Sequence, residues 1–415
     1  MDQTGRAGLS LPCLTECEGG KTMSETNRRE TMLPYGQQWL DEADIDAVVQ
    51  VLRGDFITQG PAIQAFERKV AAYSGAKYGV AFTNGTAALH GACFAAGIGS
   101  GDEVITTPLT FLASSNCVLY QGGTPVFADI NPDTYNIDPA DIEAKLTART
   151  KAVIAVDFSG QPAEMDRIME IGRQHRLVVI EDAAHSIGAD YAGHKVGSWA
   201  DMTMFSFHPV KHVTTAEGGM IVTDNEEFYK KLLQFRSHGM TRDPQELTRN
   251  EGPWYYEMQS LGYNYRMTDM QAALGISQMD KLDLFVERRR AIVNTYNREL
   301  AGIPGIVLPK QHPDARSSWH LYVVRFLPEF FTVSRKEIFE AFREMNIGVN
   351  VHYMPVYLQP YYEQLGYARG LCPNAEAYYE TAITLPLFPK MQEQDIEDVI
   401  DSAKKIIACY MFKQQ

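Results

Sequence analysis

Between Tyr78 and Glu181 the sequence alternates short β-prone runs with stretches of helical spacing, a rhythm that leaves a chain few folds to choose from. Residues 78–83 meet Asn84-Gly85-Thr86 and then helical spacing over 87–96, while 103–107 precede Pro108 and a helix starting at Phe111. Residues 125–129 and 152–156 read as strands, 165–175 as a helix and 178–181 as a strand again. Strands alternating with helices predict an α/β fold with a mostly parallel sheet covered on both faces. Residues 202–206 and 219–223 add two short strands on either side of 207–217. Upstream, 40–52 and 62–73 show helical spacing, parted by Gly60-Pro61.

The character changes after a long helical stretch at 269–300. A strand at 319–326, a helix at 335–345, a strand at 349–353 and a helix at 395–408 predict a smaller α+β domain. The expected division is therefore 32–285 for the large domain and 286–415 for the small one. Residues 1–31 are polar, Gly-bearing and aperiodic, and are expected to form a disordered leader outside the fold.

With 52 Asp and Glu against 38 Lys and Arg, the net charge of −14 argues against capture of nucleic acid or of an anionic membrane surface. It leaves room for one local basic pocket that takes a phosphorylated small molecule. The six cysteines form no Cys-x-x-Cys pair and no zinc-ligand spacing, so reduced thiols and no metal are expected. No run approaches the roughly 18 to 20 apolar residues that cross a bilayer, and no basic-then-apolar export signal opens the chain. A cytoplasmic protein is the expectation.

In an α/β sheet, ligands gather at the carboxyl ends of the strands, where helix N-termini offer free N–H groups to anions. Four polar clusters fall at such ends: Asn84-Gly85-Thr86-Ala87, Pro108-Leu109-Thr110-Phe111, Glu181-Asp182-Ala183-Ala184-His185 and Ser206-Phe207-His208-Pro209-Val210-Lys211-His212. Singly, each has a plain structural reading: Thr86 as part of a helix cap, Asp182 as the cap of a buried strand, Lys211 as a surface lysine. The glycines Gly97, Gly99 and Gly101 join a helix to a strand, the reverse of a dinucleotide fingerprint, and read as a turn.

Together the four clusters resemble the fold-type I pyridoxal-phosphate enzymes, and among them the DegT/DnrJ/EryC1/StrS sugar aminotransferases. The likeness spans residues 32 to about 410, and its most specific segment is Phe205 to His212 followed by Thr214-Thr215-Ala216-Glu217-Gly218-Gly219, which looks like that family's lysine loop. It implies a mixed, mostly parallel seven-stranded sheet in a large domain, a smaller C-terminal domain, and pyridoxal 5'-phosphate alternating with pyridoxamine 5'-phosphate. Lys211 would bind the cofactor aldehyde through its deprotonated amine and, once displaced, shuttle the substrate proton. Asp182 would keep the pyridine nitrogen protonated, so that the ring serves as an electron sink. Phe111 would stack on one ring face, and His185, where relatives often carry Gln, would touch the phenolic oxygen or the other face. The phosphate would rest on Gly85, Thr86, Ala87 and the Ser206 hydroxyl.

A fifth cluster, Gly262-Tyr263-Asn264-Tyr265-Arg266-Met267-Thr268-Asp269, carries the matching Asn that in the family reaches the partner's phosphate. Asn264 thus implies a homodimer with shared active sites, while Arg266 is either an anion contact or a salt-bridge partner of Asp269 or Glu257. The related dehydratases carry His where this chain has Lys211, so the resemblance implies amino transfer, with L-glutamate as donor. Stretches such as Asp55-Phe56-Ile57-Thr58 and Val351-His352-Tyr353-Met354-Pro355 look most like the branch that aminates C4 of a UDP-linked 4-keto-6-deoxy-N-acetylhexosamine in pseudaminic acid biosynthesis. Tyr35, Thr58, His352 and Tyr353 are the expected contacts to sugar and uracil; His320 reads slightly better as a buried, satisfied histidine, and Tyr353 also has a core reading. Other nucleotide-linked keto sugars, as in lipopolysaccharide or spore-coat glycans, and a non-catalytic cofactor-binding scaffold are the alternatives.

Overall fold

The computed structural model describes residues 28–412. Two helices, α1 (Glu42–Arg53) and α2 (Pro61–Ser74), lead into the sheet. Its first half runs β1 (Tyr78–Phe82), α3 (Gly85–Ala95), β2 (Glu103–Thr106), α4 (Ala113–Tyr120), β3 (Thr124–Phe127), α5 (Pro139–Lys145), β4 (Thr150–Val156), α6 (Met165–His175) and β5 (Val178–Asp182). A short hairpin of β6 (Asp190–Tyr191) and β7 (His194–Lys195) precedes β8 (Met202–Ser206) and β9 (Gly219–Thr223). Seven of these strands form one sheet in the order β1-β9-β8-β5-β4-β2-β3. All neighbours are parallel except the two pairs that involve β9, so the sheet is mixed and mostly parallel, as expected.

Side chains leave a strand alternately to either face, and β4 shows what that does here. Ala152 and Ile154 join the core under α3, α4 and α7 (Glu226–Phe235), whereas Val153 and Ala155 pack with Ile168 and Ile171 of α6. The central strands are thus buried on both faces. Their parallel run sends the ends of β2, β4, β5 and β8 to one edge, with Val156 beside Asp182 and Asp182 beside Met204.

The stretch expected as one helix at 269–300 is two, α8 (Asp269–Met279) and α9 (Leu282–Leu300). Beyond them, Ile306–Val307, Tyr322–Phe326 and Ala382–Leu385 form a small antiparallel sheet covered by helices Arg335–Glu344 and Glu393–Tyr410. The proposed boundary at 285/286 falls inside α9: Leu282, Phe285 and Val286 belong to the core of the large sheet, while Ile292, Val293, Tyr296 and Leu300 belong to that of the small one. The N-terminal segment also departs from expectation. Leu33 is buried in the small sheet's core and pairs with Ile347, and Arg29 bridges Asp395 (2.7 Å) and Asp398 of the C-terminal helix. The expected leader at 1–31 therefore ends too late, because a half-buried guanidinium–carboxylate cluster holds Arg29; residues 1–27 of that segment lie outside the described residues. Residues 349–353 are not a strand: only Asn350 bridges to Thr384, after which the backbone turns away. Cys93, Cys117 and Cys372 are free thiols, as expected, but Cys409, half-buried near the end of the last helix, is disulfide-bonded, which corrects the expectation of uniformly reduced cysteines. Among the described residues no helix is long and apolar enough to cross a membrane, and no cluster of His, Cys, Asp and Glu could hold a metal ion.

Candidate active site

The strand ends open into a cleft of about 780 Å³. At its base, α3 begins directly after β1. Asn84 adopts an extended conformation and its side chain accepts from the Ala87 N–H at 2.9 Å, so the helix starts where the sequence places Asn-Gly-Thr. The N–H groups of Gly85 and Thr86, and the hydroxyls of Thr86 and Ser206, have no hydrogen-bond partner among the described residues. A Cβ on Gly85 would stand 3.4 Å from Ser206 Oγ, so cup and hydroxyl adjoin. Beneath them lies Gly219, paired with both Ser206 and Phe82; a Cβ there would meet the Asn84 carbonyl oxygen at 2.5 Å. Glycine lets the helix start approach the sheet edge. Four unsatisfied donors at a helix N-terminus are what a phosphate dianion needs, and pyridoxal 5'-phosphate fits on that ground.

Asp182 ends β5 and is buried. Its carboxylate accepts from Ser114 Oγ at 2.6 Å and from the Ala184 N–H at 3.2 Å. Burial pushes its pKa up; the two hydrogen bonds and the Lys211 charge pull the other way. Lys211 lies five residues past β8 in a loop held by Phe207 N–H to Gly218 O (2.9 Å), Thr215 N–H to Phe207 O (3.0 Å) and Lys211 N–H to His208 O (2.9 Å). Desolvation lowers the Lys211 amine to about 8, against the pull of Asp182 and with help from the Arg289 charge. An ammonium moved that far can lose its proton near neutral pH.

Neutral imidazoles surround that amine. His185 is buried, and burial with the Lys211 charge holds its pKa well below the ordinary value; its Nε2 lies 3.4 Å from the Tyr353 hydroxyl. His352 is brought down to about 3 by burial and by Lys211, and its Nδ1 pairs with Thr384 Oγ1 at 2.8 Å. Tyr35 stands with its ring centroid 5.4 Å from that of His352, carried by a segment whose Tyr35 carbonyl accepts from Leu387 N–H at 3.0 Å. Phe111, 59% exposed, faces the cleft mouth.

Of the residues singled out in the sequence, Tyr35, Gly85, Thr86, Phe111, Asp182, His185, Ser206, Lys211, His352 and Tyr353 line this one cleft. Ala87, Thr58, Asn264 and Arg266 do not. The Ala87 N–H is taken by the Asn84 cap, which removes it from the phosphate cup. Thr58 is bridged to Thr268, beside the Asp269 carboxylate that accepts from Gly60 N–H (2.7 Å) and Ala62 N–H (3.0 Å). Asn264 is exposed and bridged to Ser237. The two carboxylates considered as Arg266 partners are engaged elsewhere, Asp269 at the start of α2 and Glu257 with Thr248 and Tyr255. His320 is buried, as read, yet its Nδ1 has no partner and its ring centroid lies 4.3 Å from that of His185.

Three site features escaped the sequence reading. Ser114 touches Asp182 from 68 positions away, with no local motif to mark it. Asn350 lines the rim from a segment read as strand. Arg289 is fully buried, donating from Nη1 to the carbonyls of Trp319, His320 and Leu387. A signal for it existed, since Arg289 sits on the helical stripe formed by Leu282, Phe285, Val286, Ile292, Val293 and Tyr296.

An anion cup, a buried carboxylate and an amine that sheds its proton near neutrality are together what a protein must offer to work through pyridoxal phosphate. Comparison with known proteins sharpens that class. The chain belongs to the DegT/DnrJ/EryC1/StrS aminotransferase family, whose model matches residues 38–404, and is thus a pyridoxal-phosphate-dependent sugar aminotransferase. It is 43% identical to the spore coat polysaccharide biosynthesis protein SpsC of Bacillus subtilis, over 92% of this chain and 98% of that one. It is 38% identical to the UDP-4-amino-4,6-dideoxy-N-acetyl-beta-L-altrosamine transaminase of Campylobacter jejuni, over 91% and 98%. Among solved structures, Helicobacter pylori PseC, an aminotransferase involved in the biosynthesis of pseudoaminic acid, matches with a TM-score of 0.84 at 33% identity, over 91% of this chain and 99% of that one.

Proposed function

We propose that this enzyme moves the amino group of L-glutamate to C4 of a UDP-linked 4-keto-6-deoxy-N-acetylhexosamine, giving UDP-4-amino-4,6-dideoxy-N-acetyl-β-L-altrosamine for pseudaminic acid biosynthesis. The observation that carries the reading is Lys211, the only lysine among the described residues that lines the cleft, with its amine brought to about 8 beside Asp182. The altrosamine transaminase and the structural neighbour PseC support the choice of sugar.

Pyridoxal phosphate supplies the electron sink and the carrier for the amino group. The protein's part is positional. Gly85, Thr86 and Ser206 would hold the phosphate; Asp182 would hold a proton at the ring nitrogen; Phe111 and His185 would confine the ring. Lys211 Nζ would hold the cofactor's aldehyde end when neutral and, once free, would carry the proton to and from the substrate carbon, a role worth roughly 10² to 10⁴ in rate. Tyr35, Asn350, His352 and Tyr353 bring hydroxyl, amide and neutral imidazole groups to the sugar side of the cleft, where a neutral polar substrate portion is recognised by hydrogen bonds.

The working unit in this reading is a cytoplasmic homodimer. Asn264 and Arg266 lie away from their own cleft, and the Arg266 guanidinium makes no hydrogen bond or ion pair among the described residues, which leaves both available to a second copy's phosphate or diphosphate ligands. The proposed domain division follows the two cores, with α9 shared between them.

A second reading is favoured by the higher identity to SpsC: a different nucleotide-linked keto sugar, destined for a surface polysaccharide. One assay separates the two. Amino transfer from glutamate is measured to a panel of 4-keto, 3-keto and cyclitol acceptors; preference for the UDP-linked 4-keto-N-acetylhexosamine is expected, and preference for another acceptor replaces the proposed substrate.

A further inference from the structure

We propose that Thr110 and Ser114 form a two-hydroxyl relay that holds Asp182 as a carboxylate, making Ser114 a positioning residue for the proton on the cofactor's ring nitrogen. The proposal rests on the reading of Asp182 as the partner of that nitrogen.

Three oxygens are threaded in a row. Thr110 Oγ1 lies 2.7 Å from Ser114 Oγ, which lies 2.6 Å from Asp182 Oδ2. All three residues are buried, at 4%, 1% and 4% exposure, and in such surroundings each bond is electrostatically stronger than it would be in water. Proton bookkeeping then sets the polarity. An ionised carboxylate only accepts, and at 2.6 Å it is a far shorter partner for the single Ser114 proton than the Phe111 carbonyl at 3.3 Å, so that proton points at Asp182. The Ser114 oxygen is left as an acceptor, and the Thr110 proton fills it. In the opposite polarity Asp182 is the donor and is protonated, and a neutral acid cannot hold a second proton at a ring nitrogen. The chain therefore favours the ionised form, and a bond polarised by its predecessor is stronger than one made alone.

The relay opposes a definite force. Burial drives Asp182 toward the neutral acid, and the Ser114 hydrogen bond is the largest influence against it, ahead of the Ala184 N–H and the Lys211 charge. The ionisable groups that face Asp182 are Lys211 from the loop after β8, Asp157 just past β4, Cys117 on α4 and Tyr353 from the rim. Of these only Lys211 can be positive, and its charge is lost once its amine is neutral. A neutral donor such as Ser114 acts throughout. Its placement has a further consequence: Thr110, Phe111 and Ser114 belong to one turn entering α4, and the Ser114 N–H donates to Phe111 O at 3.3 Å. The turn that offers a ring face to the cofactor thereby also sets the acidity at the ring's far end.

The test uses holoenzyme reconstituted with cofactor carrying ¹⁵N in the ring, whose nitrogen shift reports ring protonation without any turnover. Wild type is expected to keep the ring proton across the range of pH in which it is stable. In Ser114→Ala the ring proton is expected to move toward Asp182, cutting the ratio of ring-protonated to Asp182-protonated pair about tenfold at every pH, and cofactor is expected to bind roughly tenfold more weakly, the worth of one hydrogen bond to a charged group. Ser114→Thr restores both. Thr110→Val, which removes only the second hydroxyl, shifts the same ratio by less and decides the matter should Ser114→Ala not fold. Asp182→Asn separates the two levels: an unchanged ring proton there overturns the reading of Asp182 and the relay with it. Loss of the proton in Asp182→Asn, together with wild-type behaviour in Ser114→Ala and Thr110→Val, overturns the relay alone.

Discussion

The floor and the rim of the cleft are built on different principles. Every element of the floor is a strand end or the turn immediately after one: Asn84 to Thr86 follow β1, Asp182 closes β5, Ser206 closes β8 and Lys211 comes five residues later. Parallel strand direction alone brings these positions to one edge. The rim is assembled from chain segments with no such guide. Tyr35 arrives on an irregular N-terminal segment tied to the small domain through Leu33 N–H to Asn346 O (2.9 Å) and Gly348 N–H to Leu33 O (2.7 Å). His352 arrives on the non-strand segment after Asn350 and is fixed by Thr384. Topology sets the place of the chemistry, and in the proposed function side-chain packing at the rim sets the choice of substrate.

On that contrast, floor and rim substitutions are expected to divide into two kinetic classes. Lys211→Ala strikes hardest: kcat is expected to fall on the order of a thousand-fold, with no visible cofactor band surviving gel filtration, since no other described residue in the cleft offers an amine. Ser206→Ala is next, raising the cofactor dissociation constant about 10- to 100-fold in equilibrium dialysis while leaving sugar recognition in the loaded enzyme intact. His352→Ala inverts the pattern, with KM for the keto sugar rising roughly tenfold and cofactor affinity unchanged; weakened cofactor binding in this variant would break the separation. The mildest effect is in pH. Because the Lys211 amine reacts only when neutral, stopped-flow capture of the cofactor aldehyde by apoenzyme is slow below pH 8, rises about tenfold per unit there and levels off above it. A midpoint near the ordinary lysine value of about 10.4 would mean that the amine is not desolvated.

The same contrast explains what the sequence disclosed. Strand, glycine turn and helix are contiguous, so the parallel core, the anion cup and the lysine loop were all legible along the chain. Ser114 was not, because one hydroxyl in a helix of ordinary composition acquires meaning only where α4 passes β5. Residues 349–353 have strand-forming side chains, yet after the single bridge to Thr384 the segment bends into the cleft, and tertiary demand overrides propensity. Arg289 differs from Ser114 in that its place on an apolar helical stripe was a usable signal, and it is wholly buried and bonded to three carbonyls.

Helix α9 carries one further implication. A nineteen-residue rod whose first turns are embedded in one core and whose last turns are embedded in the other behaves as a beam clamped at both ends. To spread the two walls apart as rigid bodies would mean bending that beam or tearing one grip loose, and each grip is a cluster of fully buried side chains. The gap between the walls is therefore a fixed gauge, and the freedom needed to admit and release a bulky sugar nucleotide has to reside in what lines the opening, with Phe111 already turned outward at its mouth.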